Sequence, residues 1–163
     1  MGALNLPRYL KLKTAQFGER IFLRDFGSQI RYTYQDLENV TDQLAGGLQQ
    51  LGVEAGGRVA LLHPNHSDFI LGYFAIIKAG AVAVPINPLY TANEVLYILK
   101  DCGACCLLTT SEFEPLLQEI NGQADHLKEI VIKDDGQSLL QALKMRVKAM
   151  KKVVDQDRTL QTT

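Results

Sequence analysis

The sequence has no tryptophan, only three cysteines, and no excess of basic over acidic side chains, the net charge being −1. An odd number of cysteines, two of them adjacent, does not fit the disulfide framework of a small secreted domain. A net charge near zero argues against a nucleic-acid-binding protein, which needs an excess of lysine and arginine. The first residues also lack the basic and then apolar stretches of a secretory signal. We therefore expect a reduced, cytoplasmic protein that does not bind nucleic acid.

The sequence also lacks an unbroken apolar run of membrane-spanning length. Residues 69–86 come nearest, at the lower length limit for a spanning helix. However, Lys78 would lie near the bilayer centre, and Gly80 and Pro85 would break the helix. This stretch therefore predicts a buried globular core.

The core is predicted to be one strand–helix–strand unit within residues 57–90. Val59 to Leu62 form a short apolar run that ends at a Pro-Asn turn, which indicates a buried strand. Residues 67–79 are apolar almost all round at helical spacing, so we expect a buried helix. Gly80 is a suitable left-handed residue after that helix. Val82 to Ile86 give a second buried strand, parallel to the first.

Periodicity elsewhere predicts more helices and strands around this unit. Helices are expected over 6–17, 35–51, 92–102, 111–120 and 138–154, with strands over 105–108 and 130–132. Residues 21–34 predict a β-hairpin, with Gly27-Ser28 as a type II′ turn. Thr33, Thr91 and Ser111 are expected to cap the helices that follow them, the last two in capping boxes with Glu94 and Glu114. Gly47 suggests close backbone packing.

Strands that alternate with helices predict an α/β fold. We expect a mostly parallel sheet with helices on both faces, preceded by the β-hairpin. Residues 1–154 would form one unit, with a helix plus hairpin over 4–34 and an α/β sandwich over 35–154. Residues 155–163 show no periodicity and predict a loose tail.

Two histidines are the most prominent candidates for a site. His63 and His66 follow the predicted strand 59–62, at the sheet edge where open α/β folds bind ligands. They could pair on a metal or contact a polar ligand. Without a third ligand at useful spacing, we favour a solvent-exposed turn and predict no metal site.

The three cysteines, Cys102, Cys105 and Cys106, include a C-x-x-C spacing. A redox pair needs its first cysteine at an exposed helix N-terminus, whereas Cys102 ends a predicted helix. We interpret all three as buried small apolar residues.

Phosphate-binding motifs are absent. Residues 52–57 read G-V-E-A-G-G, which matches no glycine-rich phosphate loop and precedes a strand rather than following one. No nucleophile motif or carboxylate pair stands out. One face of the last helix is basic, which more often indicates a solvated face than a binding surface. It carries Lys144, Arg146, Lys148, Lys151 and Lys152.

The order of these features, over about residues 4–133, resembles the N-terminal region of AMP-forming acyl-CoA synthetases, which belong to the adenylate-forming superfamily. The end of the matched stretch, Asn87-Pro88-Leu89-Tyr90, is similar to long-chain fatty-acid-CoA ligases. The matching landmarks are Thr33-Tyr34 with Leu37, Gly52-Val53, Gly57-Arg58-Val59, Pro64-Asn65, Lys78-Ala79-Gly80-Ala81 and Pro85-Ile86-Asn87-Pro88.

The resemblance implies the N-terminal portion of the large domain of a ligase that forms an acyl-adenylate and then an acyl-CoA. That parent would use ATP, Mg and coenzyme A, with a fatty acid as its small-molecule substrate. The family's phosphate loop ending in Pro-Lys-Gly, its Tyr-Gly-x-Thr-Glu segment, its ribose-binding Asp and its C-terminal Lys match nothing here. No catalytic residue is therefore assigned, and cofactor-binding residues are unknown.

For the chain by itself we predict no catalysis and no bound cofactor. The missing remainder of the enzyme would be its partner, and its absence would leave apolar helix faces uncovered, so we expect self-association. Leu139, Leu143 and Val147 are the expected contact residues. The alternative is a stand-alone α/β binding or interaction module without catalysis.

Overall fold

The computed structural model describes the backbone of residues 5–161 and the side chains of residues 5–151. Its first part is an α-helix and a β-hairpin: α1 (Leu6–Phe17), β1 (Ile21–Arg24) and β2 (Arg31–Thr33). An α/β layer follows: α2 (Tyr34–Gln50), β3 (Arg58–Leu62), α3 (Ser67–Lys78), β4 (Val82–Ile86), α4 (Ala92–Cys102), β5 (Cys106–Thr110), α5 (Glu114–Glu119), β6 (Glu129–Lys133) and α6 (Leu139–Gln161). A short 3₁₀ turn, Ser111–Phe113, precedes α5.

The sheet has four parallel strands in the order β4-β3-β5-β6, and the hairpin forms a separate antiparallel pair. Helices α1, α2, α3 and α6 pack on one face, and α4 and α5 on the other. The predicted α/β fold with a leading hairpin is thus confirmed. No helix in the described residues is both long and apolar enough to cross a membrane.

Helix α3 is enclosed as predicted, because none of its residues is exposed. It begins at a cap on His66 and is followed by Gly80 at φ +79°, the left-handed position expected for glycine. Strand β4 differs from the prediction: it lies at the sheet edge, and Val82 is 50% exposed. The Val82 N–H group donates to the Gly57 carbonyl on the β3 side. Backbone N–H positions alternate along a strand, so those of Ala83 and Pro85 point away from the sheet. Pro85 has no N–H, which blunts that edge against pairing.

Two turn predictions are wrong. The hairpin loop is longer than a two-residue type II′ turn, and its left-handed residue is Gln29 at φ 60° rather than Gly27. Asp25 organises this loop, because its carboxylate accepts hydrogen bonds from the N–H groups of Gly27 and Ser28. Ser111 does not cap α5, since the chain enters through the 3₁₀ turn without a side-chain cap.

The other predicted caps are present. Thr33 forms a capping box with Asp36, and Thr91 forms one with Glu94. The last helix continues past the predicted end at Val154 to Gln161. Residues 155–161 contain neither proline nor glycine, so nothing local ends the helix there.

Helix α6 packs on α2, and this contact overturns the predicted contact surface. Leu139, Leu143 and Val147 are buried, at 0%, 1% and 8% exposure. Leu143 fills the space beside Gly47, where an added Cβ would lie 2.6 Å from Leu143 Cδ2. Gly47 therefore serves close packing as predicted. Because α2 already covers the inward face of α6, that face cannot be the site of self-association.

Two family landmarks have clear structural roles. The Lys78 side chain is 6% exposed and ties α3 to α2, with Nζ 3.0 Å from Glu38 Oε2 and 2.7 Å from Asp42 Oδ1. Arg58 Nε donates to the Cys102 carbonyl at 2.6 Å, so β3 holds the C-terminal end of α4. Both landmarks thus join elements that are distant in the sequence.

Candidate functional site

The loop between β3 and α3, residues 63–66, lies at the carboxyl edge of the sheet. Parallel sheets of this kind bind ligands at that edge. The loop carries both candidate histidines, with ring centroids 6.1 Å apart. Their environments differ, however, because His63 is buried and His66 is half-buried.

His63 is buried, with 3% exposure, so the prediction of a solvent-exposed side chain is wrong for this residue. Its Nδ1 lies 3.1 Å from the Pro64 carbonyl, which assigns the ring proton to Nδ1. Burial lowers the pKa of His63, so the ring is neutral at physiological pH. Nε2 is then a hydrogen-bond acceptor, and it has no partner among the described residues.

A cavity of about 290 Å³ adjoins His63, between the ends of β3 and β4. Its walls include Phe69, Pro85, Ile86 and Pro88, which make it mostly apolar. A mostly apolar lining of this kind suits an apolar occupant. The sequence motif located this place but not its chemistry.

His66 has a structural role. It caps α3 by accepting a hydrogen bond from Asp68 N–H at Nδ1, 3.2 Å away. Its Nε2 donates a hydrogen bond to Asp25 Oδ2 at 3.0 Å. The same Asp25 oxygen accepts from Ser67 N–H at 3.0 Å. That hydrogen bond holds the pKa of Asp25 well below its usual range, against the opposing effect of burial.

A second cavity, of about 330 Å³, lies beside His66 and is more polar. Burial, reinforced by the charge of Asp68, raises the pKa of Tyr32 on its wall. Lys133 also lines this cavity, but its Nζ lies 3.5 Å from Asp68 Oδ2. Because Lys133 already has a carboxylate partner, the described residues of this wall offer no spare cation for a phosphate.

His66 and the cysteines are engaged with other groups or buried within the described fold. Both nitrogens of His66 are engaged, and the described residues contain no group of three or more His, Cys, Asp or Glu arranged to hold a metal. Burial raises the pKa of the Cys106 thiol to about 12, so it stays protonated. Cys102 and Cys105 are half-buried, and Cys105 Sγ donates to the Arg58 carbonyl.

The basic face of α6 is partly engaged with its neighbours. Lys144 and Lys151 donate to glutamines of α2, and Arg146 pairs with Glu129 of β6 at 2.6 Å. Lys148 is exposed, and the Lys152 side chain lies outside the described residues. This face therefore helps to attach α6 to the rest of the fold.

Sequence reasoning missed Asp25, Asp68, Lys133 and Thr109. The first three surround His66, and Thr109 is fully buried on β5 with its hydroxyl unpartnered in the described structure. Asp25 reaches Ser67 across 42 residues of chain, so no local motif reports the contact. The pairing of Leu62 with Thr109 places that hydroxyl one strand away from the His63 loop.

With this geometry established, comparison with known proteins identifies the class. The family model described as "AMP-binding enzyme" matches residues 10–161. A long-chain-fatty-acid–CoA ligase, FadD13 of Mycobacterium tuberculosis, is 38% identical over 98 residues, which are 60% of this chain and 20% of the relative. A crotonobetaine/carnitine–CoA ligase of Escherichia coli O1:K1 / APEC is 35% identical over 121 residues, 70% of this chain and 23% of the relative.

Solved structures agree with the sequence comparison. The N-terminal domain of FACL13 from Mycobacterium tuberculosis has a TM-score of 0.79 and 28% identity, over 87% of this chain and 36% of that one. The anthranilate CoA ligase AuaEII, in complex with anthranoyl-AMP, also has a TM-score of 0.79, with 30% identity over 88% of this chain and 27% of that one.

The chain belongs to the AMP-binding enzyme family, and it matches the N-terminal part of relatives that are acyl-CoA ligases. It spans about a fifth of the length of the curated relatives that it matches.

Proposed function

We propose that this chain is the N-terminal part of an ATP-dependent fatty-acid–CoA ligase and is catalytically inactive by itself. The supporting observation is the 38% identity with a long-chain-fatty-acid–CoA ligase. In the parent enzyme, ATP would form the acyl-adenylate and coenzyme A would accept the acyl group. Mg would accompany the ATP.

Two features of the described residues argue against an ATP site in this chain. Phosphoryl and nucleotidyl transfer require backbone donors and cations around the phosphates. The loops after β3, β4 and β6 and the 3₁₀ turn after β5 contain at most one glycine each. Lys133, the only lysine or arginine among the described residues that line the polar cavity, is paired with Asp68. We therefore derive no catalytic step from this chain.

We predict that the purified chain releases no pyrophosphate from ATP and a long-chain fatty acid. The same reaction with the full-length parent enzyme is the positive control. Calorimetry of the purified chain should show no saturable ATP binding in the micromolar range. Pyrophosphate release that is stoichiometric with acyl-CoA, and that heat treatment of this chain abolishes, would contradict the proposed inactivity.

The stand-alone binding module is the second candidate, and one observation favours it. The apolar cavity beside His63 is walled by residues of this chain. The coding sequence downstream of residue 163 discriminates between the two functions. A phosphate loop encoded there supports the ligase, whereas a stop codon supports the module.

We also propose that the chain self-associates when alone, through a surface other than the inward face of α6. Eleven large apolar side chains in the described structure are exposed, and exposed apolar surface favours association. Light scattering over a hundred-fold dilution should show a mass that rises with concentration. A single species of 18.1 kDa at the highest concentration would contradict this proposal.

A further inference from the structure

One of the six asparagines of the chain is followed directly by a glycine. The pair is Asn121-Gly122, which lies in the turn between α5 and β6. An asparagine carboxamide is open to attack by the backbone nitrogen of the next residue, because attack on Cγ closes a five-membered ring. A glycine in the next position leaves this approach unhindered, since it has no Cβ. The pair is therefore a candidate for chemical modification.

The fold leaves both reacting groups of this pair free. The N–H groups of Asn121 and Gln123 donate to the carbonyls of Gln118 and Ile120. The Gly122 N–H group between them has no acceptor among the described residues. The Asn121 carboxamide likewise has no hydrogen-bond partner there, and both residues of the pair are exposed. The reaction therefore does not require any hydrogen bond of these two groups to break first.

The turn also has space around the attacking nitrogen. Gly122 adopts φ +70°, and no atom lies within 4 Å of a Cβ added to it. Asn121 and Gly122 also line a cavity of about 110 Å³. The surroundings of Gly122 therefore do not hinder the approach of its nitrogen to Asn121 Cγ.

The other five asparagines each lack at least one of these features. Three of them use the carboxamide oxygen to accept a hydrogen bond, namely Asn5, Asn39 and Asn87. After Asn93 the next N–H group belongs to Glu94, and it donates to Thr91 Oγ1. Asn65 is exposed, but the residue after it is His66, whose Cβ crowds the attacking nitrogen. Asn121 thus combines a free carboxamide, a free neighbouring N–H group and a following glycine.

We propose that Asn121 is a site of spontaneous deamidation in this chain. The Gly122 nitrogen loses its proton to solvent and forms a bond to Asn121 Cγ, and the Nδ2 group leaves as ammonia. Water then opens the resulting succinimide at either of its two carbonyls, which gives aspartate or isoaspartate. The net reaction consumes water and releases ammonia, so it needs no oxidant, reductant or other co-reactant.

Deamidation changes both the charge and the backbone of this turn. The new carboxylate makes the net charge of the chain one unit more negative than −1. Isoaspartate also inserts an additional carbon into the main chain between α5 and β6. The inference concerns this chain as it stands and does not depend on the ligase proposal, because the only reagent is water.

The test follows the purified full chain during incubation in weakly alkaline buffer, where base assists the removal of the proton from the attacking nitrogen. Peptide mapping by mass spectrometry, after digestion in acidic buffer, locates the deamidated residue. Methylation by an isoaspartyl methyltransferase measures isoaspartate independently. We expect both signals to rise with time at residue 121, while the other five asparagines stay at their starting level. No rise at residue 121, or an equal rise at another asparagine, would overturn the proposal.

Two substitutions with matched controls assign the reaction to the pair. Asn121→Gln keeps a carboxamide but would need a larger ring, and Gly122→Ala adds a Cβ beside the attacking nitrogen. The controls are Asn65→Gln, at another exposed asparagine, and Gly56→Ala, at another exposed glycine with a positive φ of 78° and no atom within 4 Å of an added Cβ. We expect the isoaspartate signal to be lost in Asn121→Gln, reduced in Gly122→Ala and unchanged in both controls. A signal that persists in Asn121→Gln would overturn the assignment.

The unfolded chain shows what the fold contributes. Circular dichroism checks that each variant is folded, and Asn121→Gln carries the test if Gly122→Ala does not fold, because it leaves the left-handed glycine in place. The same incubation in urea frees all six asparagines from the fold. We expect residue 121 to deamidate in the folded chain nearly as fast as in urea. Deamidation in urea without deamidation in the folded chain would overturn the proposal, because the fold would then protect the pair.

Discussion

Replacing Lys78 with methionine should lower the free energy of unfolding by about 3–5 kcal/mol, the typical cost of removing one partner of a buried ion pair. The reason is Glu38, whose side chain is 14% exposed and would keep its charge without a partner. Asp42 is 62% exposed, so water replaces the lost contact there. The measurement is the urea midpoint with an unchanged m-value.

Two further variants separate the ion pair from general effects at this position. Adding Glu38→Leu to Lys78→Met should restore most of the lost stability, because the buried carboxylate is then removed as well. Asp42→Asn alone should cost less than about 1 kcal/mol. A double variant as unstable as Lys78→Met alone would show that the loss comes from packing of the lysine stem.

The second large effect is expected from two adjacent glycines in α2. No atom lies within 4 Å of a Cβ added at Gly46, so Gly46→Ala should stabilise the chain by up to about 1 kcal/mol through helix propensity. At Gly47 the added Cβ would lie 2.6 Å from Leu143 Cδ2 and 2.9 Å from its Cγ. Overpacking of this kind costs about 1–3 kcal/mol, so Gly47→Ala should be neutral to destabilising.

The contrast between the two substitutions is the measurement, because composition and helix position are nearly the same. In thermal and urea unfolding, Gly46→Ala should have a higher free energy of unfolding than the original chain. The value for Gly47→Ala should be about 1–3 kcal/mol lower than that for Gly46→Ala. Gly47→Ala combined with Leu143→Val should lose less than the sum of the single changes. Equal stability for the two alanine variants would mean that α6 does not pack on α2 as described.

Fold class followed from the sequence because the decisive signals are local. The apolar run of β3, the Pro-Asn turn after it and the glycine after α3 each act within a few residues, and each was predicted at its observed place. The conformation of the hairpin loop was not predicted, because it is set by hydrogen bonds to the Asp25 carboxylate and not by a left-handed Gly27. Likewise, nothing in the β4 sequence except Pro85 indicates an edge strand.

The candidate site was predicted in position but not in character. The His-Pro-Asn-His motif located the carboxyl edge of the sheet. The cavity beside His63 is lined by Phe69 and by residues of β4 and the loop after it, which no periodicity brings together. The cluster around His66 uses Asp25 and Lys133, which come from the hairpin and from the end of β6. Only the three-dimensional structure reveals such contacts between distant segments.

The strand order β4-β3-β5-β6 has a consequence for synthesis on the ribosome. Strands β3 and β4 are neighbours in the sheet and are made one after the other, but the other neighbour of β3, strand β5, is made later. Helix α6, which packs on α2, is made later still. Its Lys144 and Lys151 contact α2 glutamines that lie 101 residues earlier in the chain. Long-range contacts of this kind form slowly and leave apolar surface open meanwhile. The nascent chain should therefore need chaperone protection until α6 has left the exit tunnel.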